Sequence, residues 1–352
     1  MGAYDDLIAF QRVTEALSQV AGRLGWGQET MMPRGAAQQR AEETAAMQGV
    51  LHARRTDPRI GEWLAATDDG ALSAVQAANM RLIRRDFVRT TRVPAALAAE
   101  IARQTSLAQG VWAEARANED FAGFAPVLTR VLDLRRQEAD ALADGGDRYD
   151  ALLQDYEPGM TAAQLTAMFA ALRPRLVALR QRVLDASHQP APLSGHFDED
   201  RQTRLGRRLA TTFGYDFSRG RLDVAVHPFS SGSGADVRIT TRTAPSDPFN
   251  CIYSTIHEVG HACYELAIND AYALSPLGQG VSMGVHESQS RIYENQIGRG
   301  RAFTGWLFDE MRAVFGDFGV ADADAFYGAV NRVGRGYIRT ESDELQYNLH
   351  VL

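Results

Sequence analysis

The sequence predicts a mainly α-helical protein with a small antiparallel β-sheet. Three observations carry that expectation. Apolar residues recur at helical spacing through nearly all of the first 186 residues. Two short β-branched runs, "LDVAV" (222–226) and "DVRITT" (236–241), flank nine residues rich in Ser and Gly, the pattern of a hairpin. The stretch "STIHEVGHACYE" (254–265) then places two histidines one helical turn apart.

In chain order, the helical reading covers "DDLIAFQRVTEALSQVAGRL", in which Leu7, Ile8, Val13, Leu17 and Val20 keep helical spacing. It continues through "MPRGAAQQRAEETAAMQGVLHARR", "ALSAVQAANMRLIRRDFVRTT", "PAALAAEIARQTSLAQGVWAEARA", "FAGFAPVLTRVLDLRRQEADALA" and "TAAQLTAMFAALRPRLVALRQRVLDA". These runs are rich in strong helix formers, and prolines sit where helices start. Residues 1–186 thus form an N-terminal helical region. "SHQPAPLSGHFDED" (187–200) is rich in Pro, Ser and Gly and reads as a connection. Residues 201–352 form a second region, holding the hairpin at 222–241 and the paired histidines. Nothing in the sequence shows that the two regions fold separately, so one continuous structural unit is expected. On the second strand Arg238, Thr240 and Arg242 share one face, and Val237 and Ile239 the other.

Composition narrows the function. The chain is 45% hydrophobic and 23% charged, as in a globular protein. A net charge of −7 offers no basic field for nucleic acid. The basic side chains are all Arg, which excludes lysine Schiff-base chemistry. No apolar run reaches the ~18 residues of a membrane span. The N-terminus "MGAYDDLIAF" is acidic where a signal peptide is basic, and Asp6 takes the place of the Ser or Thr that myristoylation at Gly2 requires. Cys251 and Cys263 would lie ~18 Å apart on one helix, too far for a disulfide. A cytoplasmic protein is expected.

The chemistry gathers at 257–294. Asp247 suits a helix N-cap and Pro248 the first helical position. His257 and His261 then share one face, with Glu258 beside them. This is HExxH: two nitrogen ligands for a metal and a carboxylate that takes a proton from water. A bound zinc ion brings the pKa of its water down to roughly 7. Gly260, inside the helix, costs ~1 kcal/mol relative to Ala and points to close packing. "GVHESQSRIYENQIG" (284–298) offers His286, Glu287 and Glu294 towards a third ligand. Spacing alone does not choose between Glu287 and Glu294. Glu265, one turn past His261, is a candidate hydrogen-bond partner for an imidazole. Two His and one Glu suit Zn2+, and also accept Co2+ or Mn2+.

With these motifs the chain resembles the carboxypeptidase Taq family of zinc-dependent metallocarboxypeptidases. "YDALLQDYEPG", "HPF" (227–229), "DVRITTR" (236–242), "DPF" (247–249), "HEVGH", "HESQSR" (286–291) and "IRTESDELQYNLH" (338–350) match in order, a far more specific signal than HExxH alone. The resemblance covers the whole chain from the first helix. It implies that His257, His261 and Glu287 bind the metal and that Glu258 is the base, leaving Glu294, like Glu265, behind the ligands. It implies removal of single residues from peptide C-termini with broad specificity. It further implies a mostly helical saddle with a deep groove, a small sheet beside the metal, and a homodimer.

An exopeptidase must grip a free terminal carboxylate, which arginine does best. The resemblance points to Arg339, in the family's I-R-x-x-A-D motif, where Ser342 stands for Ala. Arg238 and Arg242 are candidates on physical grounds alone, and their strand could pair with a peptide backbone. The sequence ends at "NLHVL", in what reads as mid-helix. Family members run further and carry a last motif, G-x-x-Q-D-x-H-W, so the C-terminal part of the family's domain is expected to be missing. Two rival readings follow: an oligopeptidase or endopeptidase on a related helical groove, or a catalytically inactive, shortened peptide-binding protein.

Overall fold

The computed structural model describes residues 2–336 and 342–351. Helix follows helix from the N-terminus, as the apolar periodicity predicts: α1 (Ala3–Thr30), α2 (Ala37–Arg55), α3 (Pro58–Ala66), α4 (Ala74–Arg92), α5 (Ala95–Ala117), α6 (Phe121–Ala143) and α7 (Arg148–Leu153). Short polar side chains set the boundaries. Ser73 Oγ accepts from Gln76 N–H, and the Gln76 side chain accepts from Ser73 N–H, closing a capping box at the start of α4. Asp57 accepts from Arg59 N–H ahead of Pro58 at the start of α3.

The chain divides into two compact units. The first takes the residues up to Pro158 together with Ser231–Asp236 and Glu265–Val281. In it, α2 packs on α5 and α5 on α6. Leu7, Ile60, Leu64, Met80 and Ile83, from α1, α3 and α4, form a core cluster. Arg23 on α1 bonds Asp236 at 2.9 Å.

The second unit takes Gly159–Ser230, Val237–Tyr264 and Ser282–Leu352. Its helices include α8 (Ala162–Leu184), α9 (Glu199–Thr212), most of α10 (Pro248–Leu266), α11 (Met283–Arg291), α12 (Arg301–Phe315), α13 (Ala323–Val330) and α14 (Glu344–Val351). A π-helical turn, Ile292–Ile297, continues directly from α11. α10 starts where the sequence predicts, with Asp247 accepting from Phe249 N–H and Pro248 in the first turn. Ile252, Tyr253 and Ile256 of α10 enter a core with Leu205 and Leu209 of α9, Leu307 and Met311 of α12 and Phe326 of α13. This core anchors the helix that carries both histidines of HExxH.

The sheet corrects the expected antiparallel hairpin. β1 (Leu222–Val224) and β3 (Asp236–Thr241) are neighbours but run parallel, with Leu222 opposite Ile239 and Val224 opposite Thr241. The Ser- and Gly-rich segment between them holds a third strand, β2 (Ser230–Ser233), so the order is β1-β3-β2 in a mixed sheet. Parallel neighbours cannot be joined by a tight turn. The tight turn is Gly234-Ala235, between β2 and β3. Gly234 has φ +64° there, a value that glycine adopts without a steric cost. Val237 and Ile239 are fully buried, as alternation requires. Thr240 and Thr241 are buried too, because their hydroxyls are satisfied: Thr240 Oγ1 accepts from Phe229 N–H, and Thr241 Oγ1 lies 3.0 Å from Ser254 Oγ on α10.

Candidate metal centre

His257 and His261 stand one turn apart on α10, their Nε2 atoms 3.1 Å apart. Glu287 of α11 places Oε2 at 3.6 Å from His257 Nε2 and 3.4 Å from His261 Nε2. Among the described residues, these three form the group of His, Cys, Asp or Glu side chains able to hold an ion, with ligand atoms all within 4.8 Å of one another. A tetrahedral site with ligand bonds of ~2.0–2.1 Å has edges of about 3.3–3.4 Å. The triangle is therefore the size of one face of such a site, and its donors, two imidazoles and a carboxylate, suit a divalent ion.

Close helix approach builds the triangle. A Cβ on Gly260 would lie 2.6 Å from Ser290 Cα and 2.9 Å from Gln289 O. Only glycine lets the backbone of α11 come this near α10, which explains the helix-interior glycine noted in the sequence. Ser282 caps α11 by accepting from Val285 N–H.

Each imidazole is held from behind. His257 Nδ1 is 2.8 Å from Glu294 Oε2, and His261 Nδ1 is 2.7 Å from His286 Nδ1. A proton on His257 Nδ1 leaves the Nε2 lone pair facing the triangle. Glu294 sits in the π turn, a distortion common at functional sites. It also accepts from Arg291 at 2.9 Å and Arg299 at 3.3 Å. On the far side of Glu287, Oε1 accepts from Tyr347 OH at 3.1 Å.

The electrostatics follow from burial and neighbours. Glu258 is buried. Burial pushes its carboxyl up to about 7, His257 works against that, and Glu287 and Glu294 add to it. At Glu287 burial is overcome by His261, His257 and Tyr347, which hold the carboxyl down at about 2. At Glu294 burial is likewise outweighed, by His257 and the two arginines, and the group stays ionised more readily than usual. His257 is more basic than an ordinary imidazole, because its carboxylate neighbours outweigh its burial.

Glu265 accepts from Gly280 N–H at 3.0 Å in the first unit, and the imidazole Nδ1 positions are served by Glu294 and His286 instead. Arg242 donates to Asn250 Oδ1 at 3.3 Å, and Arg238 is half-buried on β3. Arg339 lies outside the described residues. Sequence reasoning missed Tyr347, although it lies in the quoted motif "IRTESDELQYNLH".

Comparison with known proteins gives one family. Residues 6–352 match the carboxypeptidase Taq (M32) metallopeptidases. The chain is 41% identical over 367 residues to thermostable carboxypeptidase 1 of Thermus thermophilus, covering 99% of this chain and 72% of that protein. It is 32% identical over 343 residues to carboxypeptidase 1 of Bacillus subtilis, covering 95% and 68%. The crystal structure of the M32 carboxypeptidase from Deinococcus radiodurans superposes with a TM-score of 0.88 at 41% identity, over 99% of this chain and 71% of that one.

Proposed function

The chain belongs to the carboxypeptidase Taq (M32) metallopeptidase family, and from that premise we propose that it removes single residues from peptide C-termini, with broad specificity, at the His257–His261–Glu287 centre. The observation that carries this reading is the triangle itself, two imidazole nitrogens and a carboxylate oxygen at tetrahedral edge spacing beside a buried glutamate. His257, His261 and Glu287 would hold one divalent ion, Zn2+ before Co2+ or Mn2+. When bound, the ion supplies Lewis acidity, making water acidic near neutral pH and polarising the peptide carbonyl.

The remaining work falls to side chains. Glu258, with its carboxyl raised towards neutrality, takes the proton of the attacking water and returns it to the leaving amine. Glu294 and His286 keep the two imidazoles turned to the centre. Arg339 is the proposed receptor for the terminal carboxylate, through a two-pronged guanidinium contact. Arg238 on β3 and Arg242 just past its end are the alternatives. We assign the protein to the cytoplasm, where the free thiols of Cys251 and Cys263 stay reduced, and to a homodimer, as the family resemblance implies. Among the described residues, no helix is long and apolar enough to cross a membrane.

The test is a mass-spectrometric time course with zinc-loaded protein and an N-blocked peptide, free or amidated at its C-terminus. Stepwise loss of residues from the free peptide alone, stopped by a chelator, is expected. Equal cleavage of both peptides would assign an oligopeptidase. No cleavage of either by folded, zinc-loaded protein would leave a peptide-binding protein.

A further inference from the structure

A glutamate ligand poses a problem that two histidines do not solve. Its carboxylate has two equivalent oxygens, and its last torsion is broad and nearly two-fold. The α10 imidazoles do not determine which oxygen faces the ion, or whether one or both do. In this structure α14 holds one oxygen at 3.1 Å, while Ser290 Oγ on α11 makes only a longer, 3.4 Å contact with the other. Tyr347 OH donates to Glu287 Oε1 at 3.1 Å, leaving Oε2 turned to the two Nε2 atoms.

Tyr347 is itself fixed on the same scaffold. The Arg291 guanidinium lies over its ring, 4.3 Å from the centroid, a cation–π contact. Arg291 donates to Glu294 at 2.9 Å, and Glu294 holds His257 Nδ1 at 2.8 Å. Glu344, one turn before Tyr347 on α14, takes the other end of Arg291 at 2.8 Å. The short helix therefore grips the centre twice, at the Glu287 ligand directly and behind His257 through Arg291.

We propose that Tyr347 is a positioning residue of the metal centre, whose hydroxyl holds Glu287 to the ion through one oxygen and whose ring ties that ligand to the Arg291–Glu294–His257 chain. It acts through Glu287, to which its hydroxyl donates. Its loss frees the carboxylate to turn and weakens the site in the way that loss of a partner behind a ligand does, by about 10- to 100-fold in metal affinity. This inference rests on the metal-centre reading above, and the wild-type protein tests that reading separately.

The experiment compares wild type, Tyr347→Phe and Tyr347→Leu, each first stripped of metal. Zinc affinity is measured by competition with a coloured chelator. Cobalt(II) is then added and the visible absorption recorded, since the spectrum reports how the ligands sit around the ion. The melting temperature of each metal-free protein reads general damage. Tyr347→Phe keeps the ring and loses only the hydroxyl. It is expected to lose about 10-fold or more in zinc affinity, to shift the cobalt spectrum and to melt as wild type does without metal. Tyr347→Leu loses the Arg291 contact as well and is expected to bind more weakly still. Unchanged zinc affinity and cobalt spectrum in Tyr347→Phe would overturn the inference while leaving the centre intact. A folded wild-type protein that binds neither zinc nor cobalt would overturn the centre and this inference with it.

Discussion

Gly260 and Ser290 face each other across two helices so closely that a Cβ on Gly260 would lie 2.6 Å from Ser290 Cα. The obstacle is backbone, so no flexible side chain can yield. Gly260→Ala gains about 1 kcal/mol of helix propensity. Against this, overpacking at a rigid contact costs roughly 1–3 kcal/mol. The contact also holds Glu287, three residues before Ser290, against the histidines. The variant is therefore expected to be less stable by up to about 2 kcal/mol and to bind zinc less tightly. Thermal unfolding and a zinc titration check the two effects, and a more stable variant with unchanged zinc affinity would refute the packing argument.

Glu294 serves His257 on one side and two arginines on the other. Glu294→Gln keeps the shape and an acceptor oxygen but loses the charge. Metal affinity is expected to fall about 10- to 100-fold with the fold retained. Glu294→Ala leaves Arg291 and Arg299 without this carboxylate in a largely buried setting, where breaking an ion pair costs about 3–5 kcal/mol. The alanine variant is thus expected to lose stability as well as metal. Denaturant unfolding of both metal-free variants separates the two roles, and equal stabilities would remove the burial argument.

Metal and stability are linked because the centre needs the fold to bring α10 and α11 together. A ligand that binds only the native state stabilises it by about 2.7 kcal/mol at a hundredfold excess over its Kd. Melting of the wild-type chain should rise with the logarithm of free zinc and fall back on addition of a chelator. His261→Ala removes one corner of the triangle and should abolish most of that response. A zinc-dependent rise of wild-type size in His261→Ala would place the ion elsewhere.

The helix with HExxH was legible because its signals are local. Asp247 and Pro248 mark its start, the histidine spacing marks a face, and Gly260 marks a contact. The choice between Glu287 and Glu294 was not legible from spacing on a regular helix. The π turn at 292–297 departs from the 3.6-residue period, and only the close approach at Gly260 aims Glu287 at the triangle. The β-branched runs announced two strands but not their partners. A stretch of Ser and Gly carries little β-propensity, so β2 stayed hidden, and with it the parallel pairing of β1 and β3. Tyr347 lies 60 residues from Glu287, and no local pattern ties one to the other.

The pH dependence of turnover follows from Glu258. Burial raises its carboxyl from 4.5 to about 7 in the absence of an ion. A bound dication beside it favours the ionised form and draws that value back down. A general base works only when deprotonated, so activity climbs as pH rises through the pKa. The acid limb of kcat/KM is therefore expected between 4.5 and about 7. Glu258→Gln should lower kcat about 100- to 10,000-fold while zinc affinity holds, and the limb should vanish from the residual rate. Glu258→Asp keeps a carboxylate one methylene short of its place, so a slower enzyme with the limb retained is expected. If the limb persisted unchanged in Glu258→Gln, it would belong to another group. The proton would then have to be taken up elsewhere in the centre.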